Sequence, residues 1–168
     1  MGTILQILEK HSINIGMSPV TLLDYPLDIS HILKSAEFAK KYSTGYQDVR
    51  MEKSIESWKI AHYTDSYIEK IQNDLQVSGK ARFYWTEPNS IIPEHKDLNT
   101  LCSINFIVSD FPAPIRIQGK EYLYTQAVIN VSQPHSVVNG PVERILFKIS
   151  IFDESYESLV ARIPYKKS

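Results

Sequence analysis

The stretch IIPEHKDLNTLCSINF, residues 91–106, interrupts an apolar, strand-forming sequence with four consecutive ionisable residues and then returns to alternating apolar residues. A buried strand gains nothing from a histidine and an aspartate two positions apart, whereas a metal site does. Residues i and i+2 of a strand face the same way, so His95 and Asp97 are predicted to project together. Glu94 and Lys96 then face the opposite way, and the first pair offers one imidazole nitrogen and one carboxylate oxygen to a metal ion.

Downstream of residue 80 the chain consists of short segments rich in β-branched and aromatic residues, separated by turn-forming residues. Seven or eight strands at this spacing are typical of a sandwich or a barrel. The segment RIQGKEYLY, residues 116–124, is predicted to form a tight hairpin around the turn signal Gln118-Gly119-Lys120. The C-terminal half is therefore predicted to be a β structure.

The first 79 residues are predicted to be mixed, with apolar residues at helical spacing in residues 28–42 and 64–76 and a strand at residues 58–63. Residues 43–57 are polar and contain a glycine, which predicts a long loop that is either a lid or an ordinary surface loop. No linker separates the two halves of the chain. The helices are therefore expected to cover one face of the β structure within one domain.

Composition narrows the classes of function. The 168 residues are 43% hydrophobic and 22% charged with a net charge of −1, so we expect neither a nucleic-acid partner nor a membrane partner. The first twelve residues lack the pattern of a signal peptide. The single cysteine, Cys102, cannot form an intramolecular disulfide and is predicted to be buried. A reducing, cytoplasmic location is expected.

A third metal ligand has to come from a distant strand. His135, 38 positions after Asp97, stands where a turn meets a strand and is the candidate. Two histidines and one carboxylate, with the opposite positions open, form the site used for non-heme Fe(II) and O₂ chemistry. Arg144 follows His135 by nine positions and begins a strand; pointing inward, it would need an anion to compensate its charge.

These motifs resemble the 2-oxoglutarate- and Fe(II)-dependent oxygenases. The segment HSVVNGPVERILFKISIFD, residues 135–153, is similar to the region around the second histidine of aspartyl/asparaginyl-hydroxylase-like members. The segment RFYWTEPNSIIPEHKD, residues 82–97, resembles prolyl-hydroxylase-type members. The resemblance implies a mainly β fold, a double-stranded β-helix (jelly-roll) sandwich packed with N-terminal helices. The expected organisation is one oxygenase-like domain over residues 1–168, with a helical part at 1–79 and a jelly-roll core at 80–153.

The resemblance also implies a role for each candidate residue. It makes His95, Asp97 and His135 the ligands of Fe(II), and it makes Arg144 the partner of the distal carboxylate of the cosubstrate, 2-oxoglutarate. Many members carry a serine two residues after the arginine, where this chain has Leu146. Two further residues are candidates for contacts with the cosubstrate: Tyr84, which could replace that serine, and Asn105.

The function implied by the resemblance is hydroxylation of an amino acid, a peptide side chain or a small metabolite, with O₂ as co-reactant. The presence of Asp97, rather than a small residue, favours hydroxylation over halogenation in this family. A cupin-like metalloprotein or small-ligand-binding module is the alternative, and a metal-free β-sandwich interaction protein is a third. In that last case His95 and Asp97 are a polar patch at a strand end, and Arg144 pairs on the surface with Glu143 or Glu121.

Overall fold

The structure is a computed structural model that describes residues 17–48 and 50–168. The expectation about the first twelve residues lies outside this part of the chain. The strands are β1 (Val20–Leu22), β2 (Thr44–Tyr46), β3 (Ile55–His62), β4 (Lys80–Thr86), β5 (Ile91–His95), β6 (Cys102–Ile107), β7 (Ile115–Ile117), β8 (Lys120–Tyr122), β9 (Gln126–Ile129), β10 (His135–Val138) and β11 (Arg144–Ile151). The helices are α1 (Ile29–Lys40), α2 (Ser66–Leu75) and α3 (Tyr156–Arg162).

The strands form two antiparallel sheets. The major sheet has seven strands in the order β1-β9-β6-β11-β4-β3-β2, and the minor sheet has four in the order β5-β10-β7-β8. Side chains of both sheets share one apolar cluster, which includes Ile92 and Val137 of the minor sheet and Tyr84 and Leu146 of the major sheet. The two sheets therefore pack face to face, as in a jelly roll. This confirms the predicted fold class.

The major sheet has a second buried face, which the helices cover. Alternation along β4 and β11 places Phe83 and Phe147 under the helices, in the cluster that contains Ile32 of α1 and Ile68 of α2. The alternate residues of these two strands face the opposite, inner side of the major sheet, toward the minor sheet. This inner face holds the polar candidate residues of β4 and β11.

The predicted hairpin is confirmed, since β7 and β8 pair through a two-residue turn. Gln118 and Gly119 have φ angles of 51° and 78°. Positive φ at both turn positions matches the right-handed twist of the flanking strands, and glycine adopts it at no steric cost.

The predicted helices are confirmed within two residues at each end, but the predicted loop at residues 43–57 is wrong at both ends. Thr44–Tyr46 pairs with β3, which begins at Ile55. An edge strand of three mostly polar residues has no apolar alternation to identify it. The first 79 residues therefore contribute three strands to the major sheet and are not simply a helical part. None of the described helices is long and apolar enough to cross a membrane.

Candidate metal centre

The three predicted metal ligands lie together at one end of the minor sheet. His95 ends β5 and His135 begins β10, and the two are direct neighbours in the register of these strands. Asp97 lies two residues beyond β5, where its backbone N–H donates to the carbonyl of Val131 at 3.2 Å. Asp97 Oδ1 is 3.3 Å from His95 Nε2 and 3.1 Å from His135 Nε2. One ligand atom from each residue lies within 4.8 Å of the others.

Each imidazole ring is oriented by the backbone carbonyl two residues before it. His95 Nδ1 lies 2.8 Å from the carbonyl oxygen of Pro93, and His135 Nδ1 lies 2.8 Å from that of Gln133. A carbonyl oxygen only accepts hydrogen bonds, so each Nδ1 carries the proton and donates. In the neutral ring Nε2 is then left with its lone pair. Both Nε2 atoms face Asp97 Oδ1, so three acceptors converge on one point, and a cation relieves that repulsion.

The two oxygens of the Asp97 carboxylate face different partners. Its Oδ2 accepts a hydrogen bond from Lys148 Nζ, and its Oδ1 faces the two imidazoles. Burial alone would raise the pKa of Asp97, but the Lys148 ammonium bonded to its Oδ2 holds it well below the ordinary value. Asp97 is therefore a carboxylate at neutral pH, with one oxygen available to a metal ion.

The spacing of the ligand atoms fits a metal ion. Bonds of about 2.1 Å at right angles separate neighbouring ligand atoms by about 3.0 Å, close to the two distances measured from Asp97 Oδ1. Imidazole nitrogen and carboxylate oxygen suit Fe(II), and they also accept Zn(II), Co(II) and Ni(II). The backbone carbonyls that hold each Nδ1–H are the outer partners that metal-binding histidines commonly have.

Arg144 lies on the inner face of the major sheet, buried between the sheets. It is 2% exposed, and its Nε has no hydrogen-bond partner. Its Nη2 donates to Tyr124 Oη at 3.2 Å, and no carboxylate of the described residues pairs with it. Glu143 instead pairs with Lys40 at 2.9 Å, so the alternative of a surface pair with Glu143 is wrong. A buried guanidinium without a counter-ion is costly unless an anion binds it.

Tyr124 is a site residue that the sequence reasoning missed. Its hydroxyl accepts from Arg144 and also from Asn105 Nδ2 at 3.1 Å, while Asn105 Oδ1 accepts from Ser103 Oγ at 2.7 Å. Asn105 thus makes side-chain hydrogen bonds rather than the backbone bond considered from sequence, and its contact with a ligand stays a prediction. Tyr124 follows the hairpin among other tyrosines, and nothing in the local pattern separates it from them.

The Arg144 cavity is the space between the sheets around this arginine. It is narrow, about 30 Å³. Tyr84 lines it, but its hydroxyl lies 3.4 Å from Arg82 Nη1, and the hydroxyl next to Arg144 is that of Tyr124. The other polar residues that line the cavity are His95, Asn105, His135 and Lys148.

No protein-family model and no curated protein sequence matches the chain. Solved structures do. A prolyl hydroxylase from Trichoplax adhaerens, in complex with a hypoxia-inducible-factor peptide, is 11% identical with a TM-score of 0.67, and the match covers 96% of this chain and 99% of that one. This chain has the same fold. The viral collagen prolyl hydroxylase from Paramecium bursaria Chlorella virus-1, a 2-oxoglutarate complex, is 8% identical with a TM-score of 0.55, covering 79% and 95%.

The resemblance inferred from the sequence is thus confirmed at the level of the fold. A DMSP lyase from Ruegeria pomeroyi has a related structure, with 11% identity and a TM-score of 0.53, covering 84% of this chain and 71% of that one. One fold serves more than one kind of chemistry. The function therefore has to be argued from the residues of the site.

Proposed function

We propose that this protein is a 2-oxoglutarate- and Fe(II)-dependent oxygenase that hydroxylates an amino acid, a peptide side chain or a small metabolite. The observation that supports it most is that a set of metal-ligating atoms and a buried guanidinium with no counter-charge from the described residues lie in adjoining space. The lone pairs of His95, His135 and Asp97 converge where a cation fits, and Arg144 is buried, without a carboxylate partner among the described residues, in the cavity that both histidines line. Iron would bind the three ligand atoms, and a dicarboxylate would compensate the charge of Arg144.

Each residue then has a defined task. His95, His135 and Asp97 hold the metal through Nε2, Nε2 and Oδ1, and their backbone and side-chain partners keep them in that orientation. Arg144 binds the distal carboxylate of 2-oxoglutarate with its planar fork of donors. When bound, the metal and 2-oxoglutarate supply the oxidising chemistry: O₂ is consumed, the cosubstrate becomes succinate and CO₂, and one oxygen atom enters the substrate.

The cavity has to widen to admit the cosubstrate. It holds only about 30 Å³, and Tyr124 Oη lies on the guanidinium that the carboxylate would bind. Rotation of Tyr124 exchanges a neutral hydroxyl for a charged acceptor, which makes a stronger hydrogen bond to arginine. Asn105 and Tyr84, which also line the cavity, are the proposed further contacts of the bound cosubstrate.

A cupin-like metalloprotein with non-oxidative chemistry is the second candidate, and the similarity to a DMSP lyase structure is the observation that favours it. Such chemistry needs the metal ligands but gives no role to a buried, uncompensated Arg144. Arg144, rather than the metal ligands, therefore favours the oxygenase over this second candidate. The prolyl hydroxylase bound to a peptide illustrates a peptide ligand on this fold.

The test is anaerobic loading with Fe(II), followed by turnover of 2-oxoglutarate with a panel of amino acids and peptides and measurement of succinate. We expect about one Fe(II) per chain in the wild type and loss of stoichiometric binding in His95→Ala and His135→Ala. His62→Ala, which changes an exposed histidine at the end of β3, is the control. Equal iron content in all four proteins contradicts the assignment of the ligands, and iron binding without succinate formation favours the second candidate.

A further inference from the structure

A second pocket, which Asp97 lines, adjoins the Arg144 cavity. This Arg82 pocket has a volume of about 220 Å³. Tyr84, Trp58 and Lys148 line both spaces and form the wall between them. A substrate that enters the Arg82 pocket therefore reaches the proposed metal centre at Asp97 while the Arg144 cavity is left to the cosubstrate. The residues that line the pocket and bear on its chemistry are Tyr46, Asp48, Trp58, Ile60, Arg82 and Asp97.

Arg82 is the charged residue of this pocket that forms no ion pair within the described part of the chain. It lies in β4 on the inner face, in register with Lys148 of β11 and His62 of β3. The side chain is half-buried, its Nε is buried without a partner, and Nη1 only reaches Tyr84 Oη at 3.4 Å. No carboxylate of the described residues forms an ion pair with it.

The two carboxylates that line the pocket are already engaged. Asp48 accepts from Arg50 Nη2 at 2.9 Å and from the Arg50 backbone N–H at 2.8 Å. Asp97 is shared between Lys148 and the two histidines. Arg82 and Lys148 thus place two cations in one row of the sheet against the single carboxylate of Asp97. The pocket keeps an excess of positive charge, which favours an anionic occupant.

A second unmet donor belongs to a residue that lines this pocket as well as the Arg144 cavity. The indole Nε1 of Trp58 is buried without a partner, and the residue is 7% exposed. The Trp58 ring stacks on Tyr46 at 3.8 Å between ring centroids and forms an apolar wall together with Ile60. Two unsatisfied donors beside an apolar wall match a molecule with a negatively charged acceptor group and an apolar body.

We propose that Arg82 binds the carboxylate of the substrate, which makes the substrate a small organic acid whose apolar body lies against Trp58 beside Asp97. The inference rests on the proposed oxygenase function for the fate of that acid, but not for its binding. A volume of about 220 Å³ is below the roughly 300–1,000 Å³ of drug-sized sites, which fits a small metabolite. A planar carboxylate suits the bidentate fork of arginine.

The test compares two probes of the same shape, 4-fluorobenzoate and neutral 4-fluorobenzamide, by ¹⁹F NMR titration. The protein is first saturated with Zn(II) and 2-oxoglutarate, so that Arg144 is engaged, and the titration is repeated without either. We expect the wild type to bind the carboxylate at least about tenfold more tightly than the amide. Arg82→Gln should abolish that preference, and Arg82→Lys should retain part of it because the charge remains without the fork.

Lys59→Gln is the matched control, because it removes a cation from the neighbouring strand at a position opposite Trp85, on the face covered by helices. It should keep the full preference. An unchanged preference in Arg82→Gln, or a loss in Arg144→Gln instead, overturns the proposal. So does tighter, Arg82-dependent binding of 4-fluorophenyl phosphate, since the anion would then be a phosphate.

The same samples separate this proposal from the oxygenase function. Arg82→Gln should keep Zn(II) binding and the Arg144-dependent binding of 2-oxoglutarate, since Arg82 touches neither the three ligands nor Arg144 and meets only the hydroxyl of Tyr84, at 3.4 Å. A wild type that binds neither of them contradicts the oxygenase, while an Arg82-dependent preference for the carboxylate in metal-free protein still supports the anion site. A wild type that binds Zn(II) and 2-oxoglutarate but shows no preference for the carboxylate supports the oxygenase and overturns the Arg82 site.

Discussion

Lys148, in the middle of β11, donates a hydrogen bond to Oδ2 of Asp97, and the two side chains are 9% and 11% exposed. The pair fixes which oxygen of the carboxylate faces the two histidines. It also fixes the charge balance, because the ammonium compensates the carboxylate before any metal ion binds. Burial lowers the pKa of Lys148, but Asp97 more than offsets this and raises it, so the lysine stays charged. Lys148 is thus committed to Asp97 and is not free to replace Arg144 as the carboxylate-binding residue.

We predict that Lys148→Met destabilises the metal-free protein by about 3–5 kcal/mol, because it leaves a buried carboxylate without its partner. Urea unfolding in the presence of a chelator measures this loss. The double variant Lys148→Met, Asp97→Leu should recover most of the stability, since an apolar pair replaces the ion pair. Zn(II) should stabilise Lys148→Met more than the wild type, because in the variant the metal ion alone compensates the negative charge of Asp97. A loss below about 1 kcal/mol is the outcome expected of an exposed pair and contradicts this account.

Asp97 itself should be essential for metal binding. Asp97→Ala removes the oxygen ligand and leaves Lys148 uncompensated, so Fe(II) binding and succinate formation should both be lost. Asp97→Glu should also be poor, because its longer stem displaces the oxygen beyond what the geometry of a metal site tolerates. Asp110→Ala, at an exposed aspartate after β6, is the control. Full turnover in Asp97→Ala would refute its role as a ligand.

The sequence predicted the elements whose patterns are local. The hairpin of β7 and β8 and the helices α1 and α2 follow from turn residues and helical spacing. Asp97 lies beside His95 as expected, although β5 ends at His95 and strand alternation does not place Asp97 there. The packing of His135 against His95 and the burial of Arg144 depend on strand order, for which the family resemblance supplied the guide. Tyr124 and Arg82 were missed because their significance depends on tertiary surroundings: Tyr124 reaches Arg144 from the loop between β8 and β9, and Arg82 forms no ion pair among the described residues.

Cys102 illustrates a prediction from composition that the structure confirms. The thiol is fully buried, and burial, with smaller contributions from Glu154 and Glu157, raises its pKa to about 12. Because the folded pKa is raised, the stability that the protonated thiol contributes is complete below its unfolded pKa of about 8.5 and is lost as the pH rises toward 12. Iodoacetamide at pH 8 should therefore not modify the native protein but should modify it in urea.

A matched comparison for Cys102 is the double variant Cys102→Ala, Ser132→Cys, which moves the one cysteine to an exposed position. It should be alkylated in the native state. Rapid modification of the native wild type, at the rate of this variant, is incompatible with a buried thiol.

Asp65 should stabilise the fold through α2. Its carboxylate accepts from the backbone N–H of Ile68 at 2.8 Å and from Ser35 Oγ of α1 at 2.6 Å, so one residue caps α2 and ties it to α1. Burial raises the pKa of Asp65, but these hydrogen bonds lower it overall. Asp65→Ala should cost about 1–2 kcal/mol. Asp28→Ala, at the exposed cap of α1, should cost less.

The contribution of Asp65 to the stability of the fold depends on pH. A carboxylate with a lowered folded pKa contributes stability above its unfolded pKa of about 3.9, and that stability is lost as the pH falls through the folded value. The difference between wild type and Asp65→Ala should therefore be constant from pH 5 to 7 and shrink below about pH 4. Thermal unfolding across this range measures it. A difference that grows toward low pH contradicts the assignment.

Arg144 tests the cosubstrate independently of the metal. Arg144→Ala should leave Fe(II) binding intact, because no ligand atom depends on it, and should weaken 2-oxoglutarate binding by about 2–5 kcal/mol. Arg144→Lys should recover only part of this, since an ammonium cannot form the bidentate contact. Tyr124→Phe removes the hydroxyl that now occupies the guanidinium, so it should not weaken binding as Arg144→Ala does. The measurement is anaerobic titration of the Fe(II) protein, followed by the metal-to-ligand charge-transfer absorbance. Monocarboxylate 2-oxo acids, which lack the distal group, should bind wild type and Arg144→Ala alike. Unchanged affinity for 2-oxoglutarate in Arg144→Ala would mean that the buried guanidinium serves another anion.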